Sequence, residues 1–157
     1  SSANTCHNYG DVISQIEVGG IVGFLSGKLV NCNNYGNVVG TKSNHKASID
    51  TIESDAYCLV GGIAGVSKTI EANNTVTYCN NYGEVTGYNY TGGIIGGLFD
   101  YTNNKVELNL TVKWCTNYAN VYGNGQTGGI VGGTNIGLND SSTSTINIDH
   151  CVNNGKV

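Results

Sequence analysis

Charge is the first thing this chain lacks. Asp, Glu, Lys and Arg make up only 11% of its 157 residues, and the formal net charge is −4. No basic stripe and no run of like charges is visible. Phosphate binding needs clustered Lys and Arg, so no nucleic-acid partner is expected. Long apolar runs are missing as well. None approaches the roughly 18 residues that a membrane span needs, so no membrane insertion by this segment is expected. Proline and methionine are absent. The missing initiator Met and a start at Ser1, just ahead of a repeat, point to a fragment or mature piece of a larger chain. No signal-peptide pattern is present, and such a sequence is expected to have been removed. No window sustains helical periodicity, and Gly, with 24 residues, is too frequent for helices. Low charge with abundant Gly and Asn also describes disordered chains. Regularly placed Ile, Val and Leu argue otherwise, because they supply something to bury, and the length suffices for one domain with a core.

What is present is repetition. The phrase "CNNYGNVVG" at Cys32 has near-copies at Cys6, Cys79, Cys115 and Cys151, spaced 26, 47, 36 and 36 residues apart. A second phrase, "GGI", alternates strictly with it at Gly19, Gly61, Gly92 and Gly128. The second unit carries an insertion over 41–58, polar in composition and expected to loop out. A third mark precedes each cysteine: "KLVNC", "TVTYC", "LTVKWC" and "TINIDHC". These stretches are β-branched and alternating, so they read as strands. In the last two units they are expected to pair with the residues after GGI as hairpins, across polar tips at 102–105 and 139–144. Each unit then holds about three short strands.

One such unit cannot bury an apolar face alone, whereas stacked copies can, through parallel ladders at about 4.8 Å spacing. The expected fold is all-β: residues 1–157 form a single β-solenoid, a right-handed parallel β-helix of about four coils with hairpin and loop excursions. A β-sandwich is the alternative, but it leaves the identical phrases unexplained.

Period two assigns each phrase position a side. Cys6, Cys32, Cys79, Cys115 and Cys151 face inward as a row of small apolar fillers. A zinc site needs converging ligands, usually with a C-x-x-C pair, and neither is present, so no metal and no cofactor is expected. In-register side chains point the same way, which favours free thiols over disulfides. Cys58 stands outside the row, as the best candidate for a reactive or bridged thiol. Asn8, Asn34, Asn81, Asn117 and Asn153 also face inward, and buried amides must find partners, here from coil to coil. Ile21, Ile63, Ile94 and Ile130 form the main core row. Val22, Ala64, Ile95 and Val131 have the opposite parity and are expected on an outer face covered by hairpins or a partner. Gly10, Gly36, Gly83 and Gly155 share a row with Ala119, so smallness rather than a left-handed backbone is expected there. Tyr9, Tyr35, Tyr82 and Tyr118 face outward. An ordered aromatic row can offer flat surfaces to sugar rings or proteins, or can simply shield the neighbouring turn.

The CxNYGxV and GGIVG phrases together resemble the GLUG repeat of bacterial surface and secreted proteins, found also outside the catalytic domain of some immunoglobulin A1-specific metallopeptidases. The resemblance runs from Cys6 to Val157. Ala119, Asn154 in place of tyrosine, and the 41–58 insertion depart from it. It implies extracellular or cell-surface placement and an adhesive or spacer role. It transfers no catalytic residue, and the zinc-peptidase motif H-E-x-x-H is absent. The expected function is therefore a non-catalytic structural or adhesive module, a stalk or ligand-presenting scaffold. The alternatives are a carbohydrate-binding module using the tyrosine row, a subunit that self-associates end to end into a fibre, and a polysaccharide-active enzyme. The last needs paired carboxylates or a Lys/Arg base. Here Asp50, Glu53 and Asp55 cluster only in the insertion. An ice-binding face would want a regular Thr array, and the Thr positions drift. The partners these readings allow are a host glycan, a host protein or further copies of the chain.

Overall fold

The computed structural model describes residues 2–41, 58–67, 73–99, 107–135 and 143–157. The described chain winds through five parallel sheets, visited in the same order on every turn. The first sheet stacks Ser2–Asn4, Lys28–Val30, Asn73–Thr77, Glu107–Lys113 and Thr143–Asp149. The second stacks His7–Asn8, Asn33–Asn34, Asn80–Asn81, Thr116–Asn117 and Val152–Asn153. The third holds Val12–Ser14, Val38–Gly40, Val85–Gly87 and Val121–Gly123. The fourth holds Glu17–Gly19, Leu59–Gly61, Tyr90–Gly92 and Gln126–Gly128, and the fifth Val22–Leu25, Ala64–Ser67, Ile95–Phe99 and Val131–Asn135. This is an all-β parallel β-solenoid. Equivalent phrase positions face one another in the register, as in His7↔Asn33, Asn80↔Asn33 and Asn80↔Thr116. Every described strand pair is parallel, which rules out the β-sandwich, an antiparallel architecture.

Three expectations need correction. Each complete turn has five strands rather than three, because bends at the Asn-Tyr-Gly and GGI phrases subdivide it. The strands before each cysteine and after each GGI do not form hairpins among the described residues. They belong to the first and fifth sheets, and their backbone bonds go to the same strand one coil away. The longer spacing of the later units is partly strand extension: the first-sheet strand grows from three residues at Ser2–Asn4 to seven at Glu107–Lys113 and Thr143–Asp149. The tips at 102–105 and 139–142, and the insertion between Thr41 and Cys58, lie outside the described residues.

The third correction concerns Val22, Ala64, Ile95 and Val131. They share one interior cluster with Ile21, Ile63, Ile94 and Ile130. The cause is a local break in the alternation. Two successive amides, of Ile63 and Ala64, both donate to the carbonyl of Ile94, at 2.9 and 3.0 Å. Ile21 and Val22 do the same to Ile63, and Ile94 and Ile95 to Ile130. The register keeps the same step on every coil, Gly61↔Gly92 and then Ala64↔Ile95, so no residue is inserted; the bend at Gly62 and Ile63 is the corner between the fourth and fifth sheets, and the side chains on both sides of it turn inward.

The glycines of GGI are explained by close approach. None has a positive φ; among described glycines only Gly27 does. A Cβ on Gly19 would lie 2.7 Å from the amide nitrogen of Gly65, and one on Gly61 would lie 2.6 Å from that of Gly96. The fourth and fifth sheets therefore touch backbone to backbone. The second glycine of each phrase meets the asparagine row: a Cβ on Gly20 would lie 2.6 Å from Asn34 Oδ1, and one on Gly62 2.6 Å from Asn81 Nδ2. The interior is divided accordingly. Leu, Ile and Cys residues fill one side, and Val18, Val38, Cys58, Val60, Val85 and Val121 fill the other.

The left-handed positions lie elsewhere and were not anticipated. Thr5, Asn31, Tyr78, Trp114 and His150, each immediately before a repeat cysteine, have φ between 50 and 57°. This conformation costs a non-glycine residue about 1–2 kcal/mol. The corner survives because its amides continue the ladder, as in Asn31 N–H to Thr77 O and Tyr78 N–H to Lys113 O, both 3.1 Å.

Candidate functional site

The second sheet places two kinds of row back to back. Inside runs the asparagine row. Asn8 donates through Nδ2 to Asn34 Oδ1, Asn34 to Asn81, Asn81 to Asn117 and Asn117 to Asn153, each at 2.8 Å. The second amide hydrogen of each goes to the carbonyl two residues on, at 2.6 to 2.8 Å, from Asn8 to Gly10 through Asn153 to Gly155. Asn34, Asn81 and Asn117 are fully buried, and their side-chain amides are satisfied. Every amide dipole points the same way along the stack, so the bonds polarise one another.

Beside it lies the cysteine row. Cys32, Cys79 and Cys115 are buried, Cys6 and Cys151 half-buried, and all five are free thiols. Each sulfur faces the carbonyl two residues back, from Cys115 to Lys113 at 3.2 Å to Cys6 to Asn4 at 3.8 Å. Burial pushes the Cys32 thiol up to about 11. Contact with Cys79 and burial hold Cys115 well above the ordinary thiol range. Cys58, the candidate for reactivity, is buried among valines at 1% exposure, and desolvation raises its pKa too. The thiolate is the reactive form, so this environment makes Cys58 a filler.

Outside runs the tyrosine row. Tyr9–Tyr35, Tyr35–Tyr82 and Tyr82–Tyr118 stack with centroids 4.9, 4.9 and 4.7 Å apart and planes within 2 to 3°. Exposure is 74% for Tyr9 and 42 to 48% for the others. Both faces of Tyr35 and Tyr82 are therefore occupied by neighbouring tyrosines, Tyr9 and Tyr118 at the row's ends stack on one tyrosine each, and edges and hydroxyls meet solvent. Partial burial, then the neighbouring phenols, raise the pKa of Tyr82 above the ordinary phenol range. The position after each Asn-Tyr is small for a steric reason: a Cβ on Gly36 would collide with the carbonyl of Gly10, and one on Gly83 with that of Gly36. None of these glycines has a positive φ, and Ala119 fills the same row.

A second aromatic row escaped the sequence reading. Tyr78 stacks on Trp114 at 4.8 Å and 9°, and Trp114 lies 6.1 Å from His150. Lys113 Nζ sits 5.8 Å from the Trp114 centroid and 3.3 Å from Asp149. The bond with Lys113, then contact with His150, hold the Asp149 carboxyl below its ordinary range. The available signal was the aromatic before the cysteine in "TYC", "KWC" and "DHC". Between the two aromatic rows run His7, Asn33, Asn80, Thr116 and Val152, with Asn80 Nδ2 donating to Asn33 Oδ1 at 3.0 Å.

One depression of about 360 Å³ is lined by Tyr88, Asn89, Tyr90, Asn124, Gly125 and Gln126. Another, of about 210 Å³, opens beside Val22, Phe24 and Leu29. Neither is lined by Asp or Glu. Among the described residues no three His, Cys, Asp or Glu converge on a point that could hold a metal ion. The carboxylates Asp50, Glu53 and Asp55 lie outside the described residues.

No known protein family, curated protein or solved structure matches this chain. Its class, a parallel β-solenoid with asparagine side-chain ladders, stands on the geometry above.

Proposed function

We propose that this chain is a non-catalytic scaffold module of an extracellular or cell-surface bacterial protein, of the GLUG type, serving as a stalk or ligand-presenting spacer. The observation that carries the reading is the continuity of the ladders. From coil to coil, each inward asparagine bonds to the equivalent asparagine, each outward tyrosine stacks on the equivalent tyrosine and the isoleucines and cysteines pack in one interior cluster. Such residues make a stiff rod, and they leave few groups to converge on a substrate.

The second reading is a glycan-binding face. The exposed tyrosine edges and hydroxyls, repeating every 4.7 to 4.9 Å, favour it. The stack weighs against it, because sugar rings dock on aromatic faces and both faces of Tyr35 and Tyr82 are taken. A glycan array separates the two. The scaffold reading expects no binding by the wild-type chain. Binding lost in a fourfold Tyr→Ala variant of Tyr9, Tyr35, Tyr82 and Tyr118 would establish the glycan-binding face instead. Self-association end to end is a further proposal, checked by size-exclusion chromatography at rising concentration. A constant monomer volume rejects it. A polysaccharide-active enzyme is the weakest reading, since the two depressions above lack the carboxylate pair such chemistry uses.

A further inference from the structure

In a chain rich in asparagine, spontaneous loss of side-chain ammonia is a standing hazard. The reaction starts when the backbone nitrogen of the next residue attacks the side-chain amide carbon, so that nitrogen must be free to turn. The coil-to-coil ladder withholds it. The amides of Tyr35, Tyr82 and Tyr118, which follow Asn34, Asn81 and Asn117, each donate to a carbonyl one coil back at 2.8 Å. Those of Val38 and Val121, after Asn37 and Asn120, are held at 2.8 Å, and that of Tyr90, after Asn89, at 3.1 Å. Asn124 is placed differently. With Gly125 it forms the exposed bend between Val121–Gly123 and Gln126–Gly128. Among the described residues the Gly125 amide takes no coil-to-coil bond. Glycine also has no side chain to hinder the attack. The chain's other Asn-Gly pair, Asn154–Gly155, is held in place. The Asn154 amide donates to Asn117 O at 2.8 Å, the Gly155 carbonyl accepts from Asn153 Nδ2 at 2.8 Å, and a Cβ on Gly155 would collide with the carbonyl of Ala119.

We propose that Asn124 is a deamidation site, converted by water to aspartate and isoaspartate while the laddered asparagines stay intact. Solvent base takes the proton of the Gly125 amide, and the nitrogen attacks Asn124 Cγ. The N–Cγ bond forms, the Cγ–Nδ2 bond breaks, and Nδ2 leaves as ammonia after taking a proton back from solvent. The product is a cyclic imide. One water then opens it. Attack at Cγ gives aspartate. Attack at the backbone carbonyl of residue 124 gives isoaspartate, in which the chain runs on through Cγ. In balance, one water enters and one ammonia leaves. A carboxylate thus appears at an exposed corner of a chain whose formal net charge is −4. It stands beside the depression lined by Tyr88, Asn89, Tyr90 and Gln126. The conversion is independent of whether the module acts as a scaffold or binds glycans.

The chain is held in warm, mildly alkaline buffer and sampled over weeks. Peptide mapping by mass locates each converted asparagine, isoaspartyl methyltransferase labelling counts isoaspartate, and isoelectric focusing shows the added charge. Circular dichroism reports the fold. In the native chain Asn124 should convert faster than Asn154 by about tenfold or more, because Asn154 must first open locally. Asn34, Asn81 and Asn117 should stay intact. In guanidinium chloride the ladder is gone, and the two Asn-Gly pairs should convert at comparable rates. Asn124→Gln closes the corresponding ring far more slowly, so this variant should lose the first acidic band of the native chain and keep the fold. Equal native conversion of Asn124 and Asn154, no conversion at Asn124, an Asn154 still protected in guanidinium chloride, or an undiminished acidic band in Asn124→Gln would each overturn the proposal.

Discussion

Gly62 and Asn81 are fitted to each other across the waist of the coil: a Cβ on Gly62 would lie 2.6 Å from Asn81 Nδ2 and collide with the carbonyl of Gly93. The two repeated phrases are thus halves of one device. The GGI phrase brings a bare backbone up to the asparagine row, and the CxNYG phrase supplies the amides that fill the space. The same fit recurs at Gly20 with Asn34, Gly93 with Asn117 and Gly129 with Asn153.

Gly62→Ala should therefore destabilise the fold by about 1–3 kcal/mol, the usual cost of overpacking. The urea midpoint reads it. Adding Asn81→Ala should recover little, because the Gly93 carbonyl, a backbone atom, still blocks the methyl. Full recovery in the double variant would show that the amide alone sets the limit.

Asn81→Asp tests the ladder electrostatically. Asn81 donates to Gly83 O and Asn117 Oδ1, both at 2.8 Å, and is fully buried. A carboxylate there loses both donors and faces two oxygens, with an expected cost of about 3 kcal/mol at neutral pH. Burial raises the pKa of the new carboxyl in the folded state. The folded protein then holds a proton that the unfolded chain has released. Stability should be highest below the unfolded carboxyl range and fall as pH rises through the folded pKa. Urea midpoints that do not rise when the variant is acidified would contradict this.

Thr91 is the one flaw in the ladder rows that the described structure displays. It is fully buried, and its Oγ1 has no hydrogen-bond partner. Thr127, one coil on, donates to Gly125 O at 3.1 Å, whereas Val18 and Val60 fill equivalent positions with apolar side chains. Thr91→Val keeps the shape and removes an unsatisfied hydroxyl, so it should stabilise by about 1 kcal/mol. An equal loss at Thr91→Val would mean that the hydroxyl has a partner after all.

The coil order and the inward rows were legible because repetition within one chain acts as its own control. Cys32 with Cys79 and Asn34 with Asn81, constant from copy to copy and inward by parity, are buried, whereas the varied Asn37 and Glu84 are exposed; the constant tyrosines are exposed, as their parity requires. Parity failed at Ile63 and Ala64, where two amides converge on one carbonyl. Period-two reasoning carries one strand's parity across a corner that in fact starts a new strand at Ala64. The left-handed corner was missed because Thr5, Asn31, Tyr78, Trp114 and His150 share no residue type. Neighbouring coils impose that conformation through the ladder, so no local preference announces it. The tyrosine row was placed on the correct side. Its stacking decides which ring surfaces are free, and that follows from the coil spacing rather than from any single position.

Alkali should expose the thiol row. The Cys32 thiol is fully buried, and burial pushes its pKa up to about 11 from 9.0 for an unperturbed thiol. Between those values the folded chain keeps a proton that the unfolded chain loses. Stability from this group is therefore complete below about pH 9 and declines as pH rises toward 11. The loss at Cys32 is on the order of 2 kcal/mol. Cys58 and Cys115 shift in the same direction, as does the phenol of Tyr82, whereas Cys79, hydrogen-bonded to Cys115, shifts down and offsets part of the Cys115 effect. Urea midpoints should be level up to about pH 9 and then drop. The drop should be shallower in Cys32→Ala, although that variant starts from lower stability, having lost a packed side chain. Tyr82→Phe removes the phenol's share, which separates it from the thiols. Iodoacetamide should leave Cys32, Cys79 and Cys115 unmodified in the native chain at neutral pH and modify them once the chain is unfolded. A flat alkaline profile, or rapid native alkylation at Cys79, would mean that the row opens to solvent without unfolding. The sulfurs would then be an accessible surface rather than part of the core.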